Sequence, residues 1–244
     1  SPRERPKGDA VLAVFREYDV PGQGYGLPIW EDGTDWSEGP PSKTNRKNHH
    51  AMDGTLDFQG NLFTSDDLNT NPYRTLSRID WQTGEITNIK VPRRSDPRMA
   101  SAVHDVITDQ DGIIWFGAEQ NGDLVRLDPK TLQWEAMKTP DGQPVPSGGF
   151  NAVDGKGGVW SATRGASRYD PATKTVVNFQ NPIQKTKLGS AGTYGMAADR
   201  DGNGWTSQYG FDMMIKHNLA TGKSENIQLP PPPKYRPSKL MKLP

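Results

Sequence analysis

The chain reads as an all-β protein, a β-propeller built of four-stranded antiparallel blades, and three observations predict it. Gly60, Gly112, Gly157 and Gly202 each stand three residues before an aromatic (Phe63, Trp115, Trp160, Trp205) and lie 52, 45 and 45 residues apart. A second pattern follows each of them: Ser77-Arg78-Ile79-Asp80, Val125-Arg126-Leu127-Asp128, Ser167-Arg168-Tyr169-Asp170 and Ile215-Lys216-His217-Asn218. Each unit then closes with a strand-like run ending in proline, at Pro92, Pro140, Pro182 and Pro230. A period of about 40–50 residues with four strands per unit is the signature of propeller blades.

The clearest unit is 103–140. It holds apolar runs at Val106-Ile107, 113–116 and 124–127 and a weaker one at 134–137. Between them sit Asp109-Gln110-Asp111-Gly112, Asn121-Gly122 and Asp128-Pro129-Lys130-Thr131, which are turn sequences. Short runs separated by such turns form an antiparallel meander, and no helix of useful length fits between the breakers. One such sheet has two apolar faces and cannot bury them alone, so blades stack. The four repeated aromatics are therefore expected between blades. Each removes roughly 150–250 Å² from water, about 4–6 kcal/mol as an upper bound.

In chain order, residues 1–9 are a polar, proline-bearing lead-in, and 10–230 hold the blades. Residues 10–21 resemble a closing strand, with Phe15 and Tyr18 in the part of Phe179, but no other strands of that blade precede it. Four complete units plus one orphan strand make either an open or small ring or part of a larger propeller. The larger propeller is the expectation, because an open ring exposes strand edges. Residues 21–48 form a long Gly- and Pro-rich insertion carrying Trp30 and Trp36, which cover a channel mouth, bind a partner or pack on the propeller's own surface. Residues 66–73 lengthen a turn, and Arg93-Arg94-Ser95-Asp96-Pro97-Arg98 reads as a solvated basic linker. Residues 231–244 begin as polyproline II and carry Lys234, Arg236, Lys239 and Lys242 with no acid. Tyr235, Leu240, Met241 and Leu243 allow this tail to be an extended docking arm as well as a disordered end.

Composition narrows the function classes. Lys and Arg number 29, as do Asp and Glu, so no global field steers nucleic acid or an acidic partner. The absence of cysteine excludes disulfides, thiolate metal sites and iron–sulfur clusters. No apolar run reaches 18 residues, so no membrane-spanning helix is expected, and no signal peptide is visible, as in a mature chain that has lost one. A high Gly and Pro count with periodic apolar clusters fits an all-β array.

In a blade, the start of the first strand and the end of the second share one rim. Those positions are His49-His50 with Asp66-Asp67 in unit one and His104 with Glu119 in unit two. They are Gly149-Phe150 with Thr163-Arg164 in unit three, and Tyr194 with Gln208-Tyr209 in unit four. Imidazole and carboxylate together suit a divalent cation, held by His50, Asp66 and Glu119, or an acid/base pair of His104 and Glu119. A solvated rim with local hydrogen bonds is the alternative. His217 lies in a third strand and reads as structural. GxSxG, HExxH, P-loop and EF-hand signatures are absent, and no basic face with interleaved aromatics points to nucleic acid.

The repeat, above all His104 with Asp109-Gln110-Asp111-Gly112, Trp115-Phe116 and Arg126-Leu127-Asp128, resembles that of streptogramin B (virginiamycin B) lyases, and more loosely NHL-type and gluconolactonase-like propellers. The resemblance implies elimination at an ester: His104 matches the rim base, Asp66 and the displaced Glu119 match carboxylates near a magnesium ion. Two functions stand side by side. The first is a binding or assembly module that contacts a protein partner or further blades through its rim, Trp30, Trp36 and Tyr235. The second is a magnesium-dependent carbon–oxygen lyase acting on a cyclic depsipeptide or related ester. A periplasmic or extracellular location goes with either.

Overall fold

Turn chemistry recurs at the same place in every unit. Asp57, Asp109, Asp154 and Asp199 each use one carboxylate oxygen to accept the backbone N–H groups two and four residues on, at 2.8–3.0 Å. The glycine three residues after each Asp takes φ of 77° to 89°, a conformation other residues resist, so it bends the chain back as a hairpin. The second oxygen then anchors the repeated aromatic. It accepts the indole N–H of Trp115 (2.7 Å), Trp160 (2.9 Å) and Trp205 (3.1 Å). In the first unit, where Phe63 offers no donor, the Asn61 amide takes its place at 2.8 Å.

The computed structural model describes residues 51–67, 72–182, 185–186, 189–190, 192–209 and 213–230. His50, Trp30, Trp36 and Tyr235, the strand expected at 10–21, the 21–48 insertion and the 231–244 tail lie outside them. Among the described residues there is no helix, and hence none long and apolar enough to cross a membrane. Blade one is β1 (Ala51–Leu56), β2 (Leu62–Asp66), β3 (Leu76–Ile79) and β4 (Ile86–Ile89). Blade two is β5 (Val106–Thr108), β6 (Ile114–Ala118), β7 (Asp123–Leu127) and β8 (Trp134–Ala136). Blade three is β9 (Asn151–Val153), β10 (Val159–Ala162), β11 (Ala166–Asp170) and β12 (Thr175–Phe179). A small hairpin, β13 (Lys185–Thr186) and β14 (Gly189–Ser190), precedes blade four. That blade is β15 (Gly192–Ala198), β16 (Gly204–Tyr209), β17 (Met213–Asn218) and β18 (Lys223–Gln228). Each blade is an antiparallel meander in sequence order, as expected of a propeller.

Three clusters glue successive blades together. Phe63, Leu76 and Ile89 of blade one meet Val106, Ile114, Phe116 and Leu127 of blade two. Trp115 and Leu124 meet Val159 and Tyr169, and Trp160, Ala166 and Phe179 receive Met196 and Leu219 from blade four. A Cβ on Gly204 would lie 2.4 Å from the Trp160 ring, so blade four closes on that indole only because the residue is glycine. Phe63, Trp115 and Trp160 are at most 2% exposed, as the repeat predicts. Trp205 differs. It is half-buried, with the Lys216 ammonium 5.3 Å from its ring centroid, so a cation covers part of the face that a blade covers elsewhere.

The third-strand cation faces the aromatic in every blade: Arg78 opposite Phe63, Arg126 opposite Trp115, Arg168 opposite Trp160 and Lys216 opposite Trp205. Their fates diverge for a local reason. Arg168 reaches across to Asp154 (Nε–Oδ2 2.6 Å), both groups buried. It fits because residue 158 is glycine, where a Cβ would sit 2.1 Å from the guanidinium carbon. The corresponding residue of blade two is Ile113, whose side chain occupies that space and packs on the inter-blade cluster. Arg126 consequently makes no hydrogen bond or ion pair among the described residues. The 93–98 linker is largely exposed, as its composition suggests, with Arg94 and Arg98 59% and 88% exposed, although Arg94 also donates to Asp123 (2.7 Å) and to the Asn121 carbonyl.

Candidate functional site

The innermost strands β1, β5, β9 and β15 pack side by side in that order, so their starting residues gather on one rim. His104, just ahead of β5, and Glu119, just after β6, meet there over Gly149 of blade three. A Cβ on Gly149 would stand 3.3 Å from both Glu119 Oε1 and His104 Cβ. The imidazole lies against the Phe150 ring (centroids 4.5 Å apart) and edge-on to Tyr194 of blade four (6.0 Å). Phe150 and Tyr194 are themselves 4.7 Å apart, and Tyr194 is 48% exposed. Three blades thus build one aromatic wall around an imidazole, with a carboxylate beside it.

The electrostatics are those of a partly dehydrated acid. Burial pushes the Glu119 carboxyl above the usual range, the charge of Asp67 adds to this, and His104 acts the other way. His104 Nδ1 is buried and has no hydrogen-bond partner among the described residues. Next to His104 in the chain, Asp105 is pushed up to about 6, first by burial and further by the neighbouring Asp53, against the Asn151 N–H that it accepts at 2.7 Å.

The structure brings together His104 and Glu119, and of the two rim carboxylates of unit one it is Asp67 whose charge acts on Glu119. Asp66 lies elsewhere. It forms a buried ion pair with Arg74 at 2.8 Å, and its carbonyl accepts the Val103 N–H. Register explains the difference. Asp66 stands three residues after Phe63, as Ala118 does after Trp115, so the counterpart of Glu119 is Asp67. Asp53 and Asp105 were missed, and only the stacking of blades brings them together. Among the described residues no group of three or more His, Asp or Glu is gathered to hold a metal. Glu119 and Asp67 are the hard oxygen donors that magnesium takes, one or two at a time, and Asp66 reaches a metal only by leaving Arg74. His217 is separate from the rim: fully buried, it pairs with the Thr206 hydroxyl (3.0 Å) and the Ser224 hydroxyl (2.9 Å), and burial lowers it to about 4.

No family model and no curated protein matches the chain. Among solved structures, it is similar to a catalytically inactive virginiamycin B lyase from Staphylococcus aureus with quinupristin. The TM-score is 0.58 at 16% identity, covering 79% of this chain and 59% of that one. A streptogramin B lyase structure gives 0.57 at 15% identity, over 75% and 55%. A gluconolactonase from Xanthomonas campestris gives 0.50 at 16%, over 72% and 61%. The chain spans less than two thirds of the length of each. At these identities the shared feature is the β-propeller fold.

Proposed function

We propose that the chain is a propeller binding module that takes a ligand or partner on the rim around His104. The observation that carries this is the convergence of His104, Glu119, Phe150 and Tyr194 from three blades over Gly149. A carboxyl raised by burial and a neighbouring charge, set beside an imidazole on an open rim, is the kind of group that marks a binding or catalytic site. Contacts from Trp30, Trp36 and Tyr235, or from further blades, extend the same proposal.

A second reading, a magnesium-dependent lyase, is favoured by the adjacency of His104 to Glu119. In it His104 takes a proton from the carbon next to the ester-bearing one, the ester C–O bond breaks, and the carboxylate leaves as the ring opens. Glu119 and Asp67 would hold the magnesium, which supplies polarisation of the ester carbonyl. The two readings separate on one experiment, in which the chain is incubated with quinupristin and magnesium while His104 is followed by NMR and the ring by chromatography. The module returns the ring intact. A ring-opened isomer that has gained no water and disappears in His104→Ala would establish the lyase and end the module reading.

A further inference from the structure

We propose a second ligand site, for a small carboxylate carried on an apolar body, in the groove between blades two and three. The groove is a cavity of about 410 Å³ walled by Trp115, Arg126, Met137, Lys138, Tyr169 and Lys174. That volume is in the range that holds one small molecule. Its floor is apolar, with Trp115 and Tyr169 6.2 Å apart and Met137 beside them.

Arg126 makes the groove a site. It is half-buried, so its guanidinium has lost part of its hydration, yet no acceptor lies within bonding distance among the described residues. Its counterpart Arg168 is satisfied inside its own blade by Asp154. Ile113, standing where blade three has Gly158, denies Arg126 the same escape and leaves it on the groove wall. A planar guanidinium with free donors recognises a carboxylate in bidentate fashion.

Charge fixes the end of the groove that is used. Three cations, Arg126, Lys138 and Lys174, face one acid there, Glu135. The adjoining hollow of about 520 Å³ carries Asp109, Asp111 and Asp170 against Arg126 and Lys156, and repels an anion. The rim site takes no part in this.

The test is titration of the intact chain with benzoate, reading the Trp115 indole N–H and Arg126 Nε–H signals by NMR. Saturable shifts of both are expected. Arg126→Met should weaken binding about tenfold or more. Ile113→Gly, which keeps the arginine but opens its path to Asp109, should weaken it similarly, and His104→Ala should leave it unchanged. Inorganic phosphate and benzyl alcohol, each carrying half the chemistry, should bind more weakly than benzoate. The proposal is overturned by an absence of shifts up to benzoate solubility, or by wild-type binding in both Arg126→Met and Ile113→Gly. Equal affinity for phosphate or benzyl alcohol would also overturn it.

Discussion

Two arginines at the same position of neighbouring blades should differ several-fold in what they contribute to stability. Arg168 has its Nε 2.6 Å from Asp154 with side chains 7% and 0% exposed, whereas Arg126 is half-buried without an ion pair. Breaking a buried pair costs roughly 3–5 kcal/mol. In Arg168→Met, Asp154 keeps the N–H groups of Lys156, Gly158 and Trp160, so the loss should sit near the lower end, about 3 kcal/mol. Asp154→Asn should cost more, because it leaves a buried guanidinium whose next carboxylate, on Asp170, is 3.7 Å away. Arg126→Met keeps the apolar stem over Trp115 and should stay within about 0.5 kcal/mol. Gly158→Ala supplies the internal control: its new methyl evicts the guanidinium, so it should cost about 3 kcal/mol in the wild type. In an Arg168→Met background the same change should cost under about 1 kcal/mol. Urea unfolding followed by tryptophan fluorescence and circular dichroism measures all five. Equal losses at Arg126 and Arg168, or additive losses at Gly158 and Arg168, would refute the steric account.

The pH response should hide two opposing titrations. His217, lowered from 6.5 to about 4 by burial, binds its proton less readily when folded, so stability falls by about 3 kcal/mol as pH drops from 6.5 to 4. Asp105, raised from 3.8 to about 6, gives the opposite slope between those values, so the wild type should be nearly flat from pH 6 to 4. Asp105→Asn should raise stability at pH 7 and expose the His217 slope on acidification, readable as melting temperature against pH. At the rim, Asp67→Asn should lower the Glu119 pKa, and carbon-13 NMR titration of the Glu119 carboxyl reads the shift directly. Lys174 holds a left-handed φ of 57°, so Lys174→Gly should stabilise by about 0.5–1 kcal/mol in the same urea assay.

The blade repeat was legible because its causes are local. An Asp, a glycine three residues on and an aromatic after three more specify a hairpin within seven residues; the spacing recurs four times, and in three of them the aromatic is a Trp anchored to the Asp. The rim pairing of His104 with Glu119 was legible too, since strand geometry puts the start of β5 and the end of β6 at one end. Which of the adjacent acids Asp66 and Asp67 faces the rim was not legible, because Arg74, which pairs with Asp66, is eight residues away. Residues 21–48 and 231–244, where Trp30, Trp36 and Tyr235 lie, fall outside the described residues.

Order along the chain therefore determined which strands form and which side chains they offer: periodic turns and aromatics leave a four-stranded meander as the one way to bury them. Which of those side chains are spent on structure was decided only by packing, within each blade and between neighbouring blades. Trp205 is left half-covered although its strand pattern matches that of Trp160, and Arg126 is left without an ion pair because its own blade carries isoleucine where blade three carries glycine. The cover over an indole comes from the next blade, and one side-chain volume, isoleucine at 113 against glycine at 158, decides whether a guanidinium is satisfied inside its sheet or left on a groove wall.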